Sequence, residues 1–242
     1  MRLFLCLALA AASSTCAVSQ TIPIPFLEQL KAQLLLSGLR QSITINGSAD
    51  WVAGSTRDSG PVTLNAKADG SSEVLLAFAN SRHAETSSSF ARRSCQWLDK
   101  NGVSHEVKGV SCLTPLPWFS PATLPLLLST PAVTVRDGGQ LSEGNLLRHQ
   151  LIVDLSGTYI GQHAQAFAAA TQVKISYDPA TLTPTRLEYN LHPDNDNTLS
   201  IPVRVVFSDY RTFSGIPVPF HMERYIDGAL ELRVAVDSVV LN

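Results

Sequence analysis

The chain has 242 residues, a formal net charge of −2 and only 16% charged residues, so it carries no electrostatic footprint for nucleic acid or for an anionic membrane surface. With 45% hydrophobic residues in patterned runs it is not a disordered chain either. The length allows one large β-rich domain as readily as two small ones; with no repeat, linker or low-complexity tract dividing it, the reading is one domain over residues 20–242.

Residues 1–19 have the layout of a secretory signal peptide: Arg2, the apolar run Leu3 to Ala12, then small and polar residues through Ser19. Cleavage fits after Ala17 or after Ser19, since both put small side chains where a signal peptidase reads, and the second is preferred. Ser13-Ser14-Thr15 before Cys16 lacks the large aliphatic residue and the small Gly or Ala of a lipobox, which argues against lipidation there. Leu3 to Ala12 is too short for a bilayer, which needs about 20 apolar residues, and no other such run follows. The mature chain is therefore expected to be exported, to the periplasm or outside the cell, with no transmembrane segment.

Phe26 to Leu36 places Leu27, Leu30, Leu34 and Leu35 at helical spacing between polar residues, with Gly38 where a C-cap glycine belongs, and reads as an amphipathic helix. Strand candidates follow at Ile43–Val52, Val62–Ala68, Glu73–Phe78, Ala84–Phe90, Cys95–Asp99 and Val103–Lys108. Asp58-Ser59-Gly60-Pro61, Asp69-Gly70 and Asn101-Gly102 separate them as turns, which predicts an antiparallel meander. Once the leader is gone, Cys95 and Cys112 remain, and in an oxidising compartment such a pair points to a disulfide of about 3 kcal/mol in the chain-entropy picture. A two-residue loop at Asn101-Gly102 sets Cys95 opposite Lys108, so the bridge requires the chain to turn back after Gly109.

Pro115 to Leu128 breaks the rhythm with Trp118, Phe119 and four prolines, as a short helix or an irregular lid. After an Asp137-Gly138-Gly139 turn, Asn145 to Leu155 resumes as a strand and Tyr159 to Ala170 fits an Ala-rich helix. The last meander starts at Gln172, turns at Asp178-Pro179-Ala180-Thr181 and crosses a polar loop from His192 to Asn197. In Ser200 to Ser208 the alternation sets Ile201, Val203, Val205 and Phe207 on one face, with Val206 the exception. Asp227-Gly228, between Pro217–Ile226 and Ala229–Leu241, is a hairpin signal because both turn positions need positive φ.

Motifs that resemble known chemistry lack its context. Asp58-Ser59-Gly60-Pro61 resembles the nucleophile segment of trypsin-like proteases, but Arg57 replaces a glycine and no base or oxyanion donor is indicated. Asp194-Asn195-Asp196-Asn197-Thr198 resembles a phosphatase aspartate pair or the opening of a calcium loop, without the preceding buried strand or the glycine and glutamate those need. The six histidines show no zinc spacing, and His221, Glu223 and Tyr225 alternate on what reads as a solvent face. No cofactor, metal site or catalytic residue is expected. Val203, Val205, Phe207, Phe220, Met222, Leu232, Val234 and Val236 form an apolar sheet face: core in an ordinary sheet, or the lining of a cavity for a lipid tail if the sheet curls without closing.

Phe207-Ser208-Asp209-Tyr210-Arg211, then Gly215-Ile216-Pro217-Val218-Pro219-Phe220 and Tyr225-Ile226-Asp227-Gly228, together with the order of elements, resemble the unclosed β-barrel of periplasmic lipoprotein-localisation proteins and the related anti-sigma-factor regulator. The resemblance implies an α+β fold, a curved antiparallel half-barrel with a few covering helices, wrapped around an apolar cavity, and carries over no catalytic residue. The expected role is a non-enzymatic envelope protein that carries or senses a lipid or other apolar small molecule. The alternatives are a structural module that contacts another envelope protein through a sheet edge or the Trp118/Phe119 segment, and a hydrolase whose site is assembled from distant residues.

Overall fold

The computed structural model describes residues 26–37, 42–89, 93–99, 101–107, 111–112, 117–119, 121, 133–155, 170–193, 196 and 198–242. Among them are the helix α1 (Phe26–Ser37) and the strands β1 (Ser42–Ala53), β2 (Thr56–Lys67), β3 (Ser72–Ala77), β4 (Arg82–Ser87), β5 (Cys95–Leu98), β6 (Ser104–Glu106) and β7 (Val133–Glu143). The remaining strands are β8 (Leu146–Leu155), β9 (Val173–Tyr177), β10 (Pro184–Leu191), β11 (Ile201–Phe213), β12 (Ile216–Ile226) and β13 (Ala229–Leu241).

All thirteen strands belong to one antiparallel sheet in the order β6-β5-β4-β3-β2-β1-β13-β12-β11-β10-β9-β8-β7. Two meanders, β1–β6 and β7–β13, are thus joined by pairing the first strand to the last, from Ile43 opposite Leu241 to Trp51 opposite Leu232. A twisted sheet of more than about ten strands has to curl or split, and this one curls, with β6 and β7 left at its two edges. Bulges help it bend at Asn46/Gly47, Asp137/Gly139, Pro184/Arg186 and Arg224/Tyr225. Glycine is required at position 47, where a Cβ would lie 2.1 Å from the Ala235 carbonyl oxygen.

The inner face carries the core. Ile45 and Leu64 from one meander and Val205, Met222, Leu232 and Val234 from the other are all buried, and Leu30 of α1 with Phe119 packs over them. A fully buried aliphatic side chain of this kind contributes about 1.5–3 kcal/mol. Among the described side chains of the helix Leu30 is buried in the core and Leu27 packs against it; Gly38 lies outside the described residues.

The strand alternation in Ser200 to Ser208 holds: Val203, Val205 and Phe207 are buried, Arg204 and Ser208 exposed, Val206 between. Asp227 and Gly228 both have positive φ, 48° and 78°, as the hairpin signal requires. Two expected turns are instead parts of strands. Asp58-Ser59-Gly60-Pro61 lies within β2, paired with β1 from Asp58 opposite Trp51 to Pro61 opposite Ser48, and the chain reverses earlier, at Gly54-Ser55. Turn-forming residues were overridden there by a full ladder of backbone hydrogen bonds. Asp137-Gly138-Gly139 is the β7 bulge, while the reversal comes at Gly144-Asn145.

The Cys95–Cys112 disulfide is formed, with Cα atoms 5.5 Å apart. Its approach differs by one register step from the two-residue-loop expectation: the Asp99 N–H donates to the Val103 carbonyl, which lengthens the loop, and Val107, rather than Lys108, meets Cys95. Cys112 lies beside Cys95, as the bridge demanded. Of the Pro115 to Leu128 segment the structure describes 117–119 and 121, with Trp118 and Phe119 buried against the core. The Ala-rich segment from Tyr159 lies outside the described residues up to its last member, Ala170, which is helical.

Candidate ligand-binding cleft

Phe220, Met222, Arg224 and Ile226 alternate along the same inner face of β12, so the apolar floor is interrupted by one guanidinium. Arg224 is only 7% exposed. Burial by itself disfavours its charge, yet Glu85 of β4 and Glu231 of β13 outweigh that and hold its pKa above the ordinary arginine value. The bulge between Arg224 and Tyr225 accounts for Glu231. Arg224 pairs with Leu232 and Tyr225 with Leu230, so Glu231 is the extra residue, and the bulge turns inward a side chain that strict alternation would send out.

Each nitrogen of the guanidinium donates to a carboxylate. Nε reaches Glu231 Oε2 at 2.5 Å, one terminal nitrogen reaches both oxygens of Glu85 at 3.0 and 3.3 Å, and the other reaches Glu85 Oε1 at 3.1 Å and Glu231 Oε1 at 2.9 Å. Two indoles complete the network: Trp118 Nε1 donates to Glu85 Oε2 at 3.2 Å and Trp51 Nε1 to Glu231 Oε1 at 3.3 Å. The Arg224 guanidinium also lies 4.6 Å from the Trp118 ring centroid, a cation–π contact. Residues far apart in sequence are thereby held at one point: β4, β12, β13, β1 and the connection between β6 and β7.

Beside this network is a cleft of about 320 Å³. Val74, Trp118, Phe119, Leu191 and Ile226 supply apolar wall, and Tyr189, Arg224, Glu85 and Glu231 its polar side. Exposed Thr86, Gln96 and Trp97 mark its mouth, beside the Cys95 end of the disulfide. Arg93, also on the lining, donates to the carbonyls of Cys112, Gly70 and Ser88, tying the turn before β5 to the chain beyond the bridge. A second hollow of about 380 Å³ is polar and takes in Lys174, Glu188 and Arg204 of the outward set on β9–β11, with Arg204 stacked 4.5 Å from the Tyr225 centroid.

Val203, Val205, Phe207, Phe220, Met222, Leu232 and Val234 are all buried in the core cluster. Val203 borders the polar hollow, and the others lie in the packed layer alongside the cleft rather than on its lining. Arg224, Glu85 and Glu231 escaped the sequence reading. Continuing the alternation from Phe220 and Met222 would have found Arg224, whereas no local pattern marks Glu85, and the bulge conceals Glu231.

The His221, Glu223 and Tyr225 row is a hydrogen-bonded cluster with Arg233. Glu223 accepts from the Tyr225 hydroxyl at 2.6 Å, from Arg233 Nε at 3.0 Å and faces His221 Nε2 at 3.5 Å. The tyrosine hydroxyl, helped by Arg233 and His221 against partial burial, lowers the Glu223 pKa. Asp196 accepts from the Thr198 N–H and hydroxyl as an ordinary turn residue does. Among the described residues no group of three or more His, Cys, Asp or Glu side chains could hold a metal, and no helix is long and apolar enough to cross a membrane.

No protein-family profile and no curated protein matches the sequence. Solved structures do match the fold. An outer membrane lipoprotein-sorting protein domain from Vibrio parahaemolyticus superposes with a TM-score of 0.53 at 8% identity, over 90% of this chain and 91% of its own. A LolA superfamily protein from Nitrosomonas europaea gives 0.55 at 11% identity over 91% and 94%, and a DUF1329 family protein from Desulfovibrio piger 0.54 at 10% identity over 88% and 91%. The fold is therefore an unclosed half-barrel like that of these structures. At such identities the likeness concerns the fold alone.

Proposed function

We infer that the protein is an exported, non-enzymatic binding protein whose mature chain, residues 20–242, forms one half-barrel unit that holds a lipid or other apolar molecule. The observation that carries this reading is the cleft itself: an open space of about 320 Å³ walled by Val74, Trp118, Phe119, Leu191 and Ile226, within the size range of ligand pockets. Its charged side is closed on itself, because every nitrogen of Arg224 already donates to Glu85 or Glu231. The affinity of such a site comes from apolar burial, about 25 cal/mol per Å². A structural neighbour that is described as a lipoprotein-sorting protein domain agrees with this reading. So does the disulfide, a bond of oxidising compartments, together with the leader-like residues 1–19.

Val203, Val205, Phe207, Phe220, Met222, Leu232 and Val234 serve in this reading as the apolar bed beside which the ligand lies. Binding of a polarity-sensitive dye such as Nile red to the delipidated mature protein tests it. Saturable binding is expected, displaced by apolar molecules and lost in Ile226→Trp, which fills the cleft. Dye binding that Ile226→Trp leaves unchanged, in a variant with native circular dichroism, would place the apolar site elsewhere.

A further inference from the structure

The cleft is small, and its lining sets two arginines, Arg93 and Arg224, against two carboxylates, Glu85 and Glu231, with no net formal charge; both facts bear on what it can take. A methylene is close in size to a water molecule, whose share of liquid volume is roughly 30 Å³, so a space of about 320 Å³ holds about ten carbons. That is one alkyl chain of medium length. Two or three chains of membrane-lipid length need several times that volume. With all three guanidinium nitrogens of Arg224 on carboxylates, and its face on Trp118, that residue offers no bare cation to a phosphate or carboxylate headgroup. The mouth is marked by Thr86, Gln96 and Trp97, which can border a polar group of either charge or of none.

We propose that the cleft selects single-chain amphiphiles, inserting one alkyl chain of about ten carbons between Val74, Phe119, Leu191 and Ile226 and leaving the headgroup at the Thr86/Gln96 mouth, with little regard to its charge. This rests on the reading of the cleft as an apolar-ligand site and narrows the ligand to a monoacyl class. Tail recognition of this kind has a definite signature: each added methylene that finds room tightens binding about fourfold, ~0.8 kcal/mol, and the gain stops when the space is full.

Isothermal titration of the delipidated mature protein tests this with four kinds of probe: saturated fatty acids of increasing length, monoacyl lysophosphatidylcholines of the same lengths, a diacyl phosphatidylcholine and a triacylated lipopeptide. The expected result is a Kd that falls about fourfold per methylene up to about ten or twelve carbons and then levels. It is expected to be similar for fatty acid and lysolipid, and at least a hundredfold weaker for the diacyl and triacyl probes. Diacyl or triacyl probes binding as tightly as monoacyl ones, or affinity still climbing through eighteen carbons, would overturn the monoacyl proposal and leave the apolar-ligand reading in place. A strong preference for one headgroup would overturn tail-only recognition. No binding by any probe would remove both readings. Leu191→Phe, a smaller intrusion than Ile226→Trp, is expected to shift the levelling point to a shorter chain, which a general loss of fold would not do.

Discussion

Strands β11, β12 and β13 are 13, 11 and 13 residues long, whereas β4, β5 and β6 at the far edge have 6, 4 and 3. The long strands hold together through burial: Val205, Met222, Leu232 and Val234 are at most 1% exposed, and the Asp227-Gly228 turn is tied to β11 by a backbone bond, from the Asp227 N–H to the Pro202 carbonyl at 2.9 Å. The short strands bury little, and cross-links hold them: the Cys95–Cys112 bond, Arg93 on three carbonyls, and Glu85 on Arg224 and Trp118. Val205, Met222, Leu232 and Val234 border neither the cleft nor the polar hollow. Where a charged clasp and a covalent bond take over the task of cohesion, the cleft remains.

Breaking the clasp should cost most. Arg224→Ala leaves Glu85 and Glu231 facing each other near a buried site and is expected to lower stability by about 3–5 kcal/mol in urea unfolding, while Arg224→Met with Glu85→Gln and Glu231→Gln recovers much of that. A loss below 1 kcal/mol for Arg224→Ala would show that the short strands do not depend on the clasp. Removing the bridge with Cys95→Ser and Cys112→Ser is expected to cost about 3 kcal/mol, and its effect should be local. Hydrogen exchange is expected to quicken in β5 and β6 and stay unchanged in β11–β13. Uniform loss of protection would erase the contrast between the two regions.

On the long-strand side the effects are smaller. Gly228→Ala meets no neighbour within 4 Å but must keep φ near 78°, so it is expected to cost about 1 kcal/mol from backbone strain alone, read as a shift in the urea midpoint. Glu223 gives the smallest effect. Its folded-state pKa lies below the ordinary 4.5, so its contribution is fully present above that value and is lost as pH falls through the lower folded-state pKa. Glu223→Gln is expected to reduce stability by about 0.5–1 kcal/mol at neutral pH and to converge with wild type in acid; a gap that widens in acid would contradict the sign.

The same contrast explains what could be read in the sequence. The period-two pattern of β11 and the Asp227-Gly228 turn are local signals, and the C-terminal strands stand where those signals put them. The disulfide follows from the cysteine count once residues 1–19 indicate export to an oxidising compartment. Asp58-Ser59-Gly60-Pro61 and Asp137-Gly138-Gly139 misled because turn residues also serve inside strands, the first carried by pairing with β1 and the second forming a bulge. The clasp was the least legible part. Glu85 and Arg224 are 139 positions apart, and Glu231 faces inward because of a register shift that no residue pattern announces.

The central claim, that a guest chain lies in the space beside Arg224, is tested most directly by intermolecular nuclear Overhauser effects in the mature protein loaded with decanoate. Contacts are expected from the chain's terminal methyl and methylenes to the methyls of Val74, Leu191 and Ile226 and to the Phe119 ring. Contacts confined to outward side chains such as Lys174, Arg204 and Tyr225, or none at saturating ligand, would contradict it.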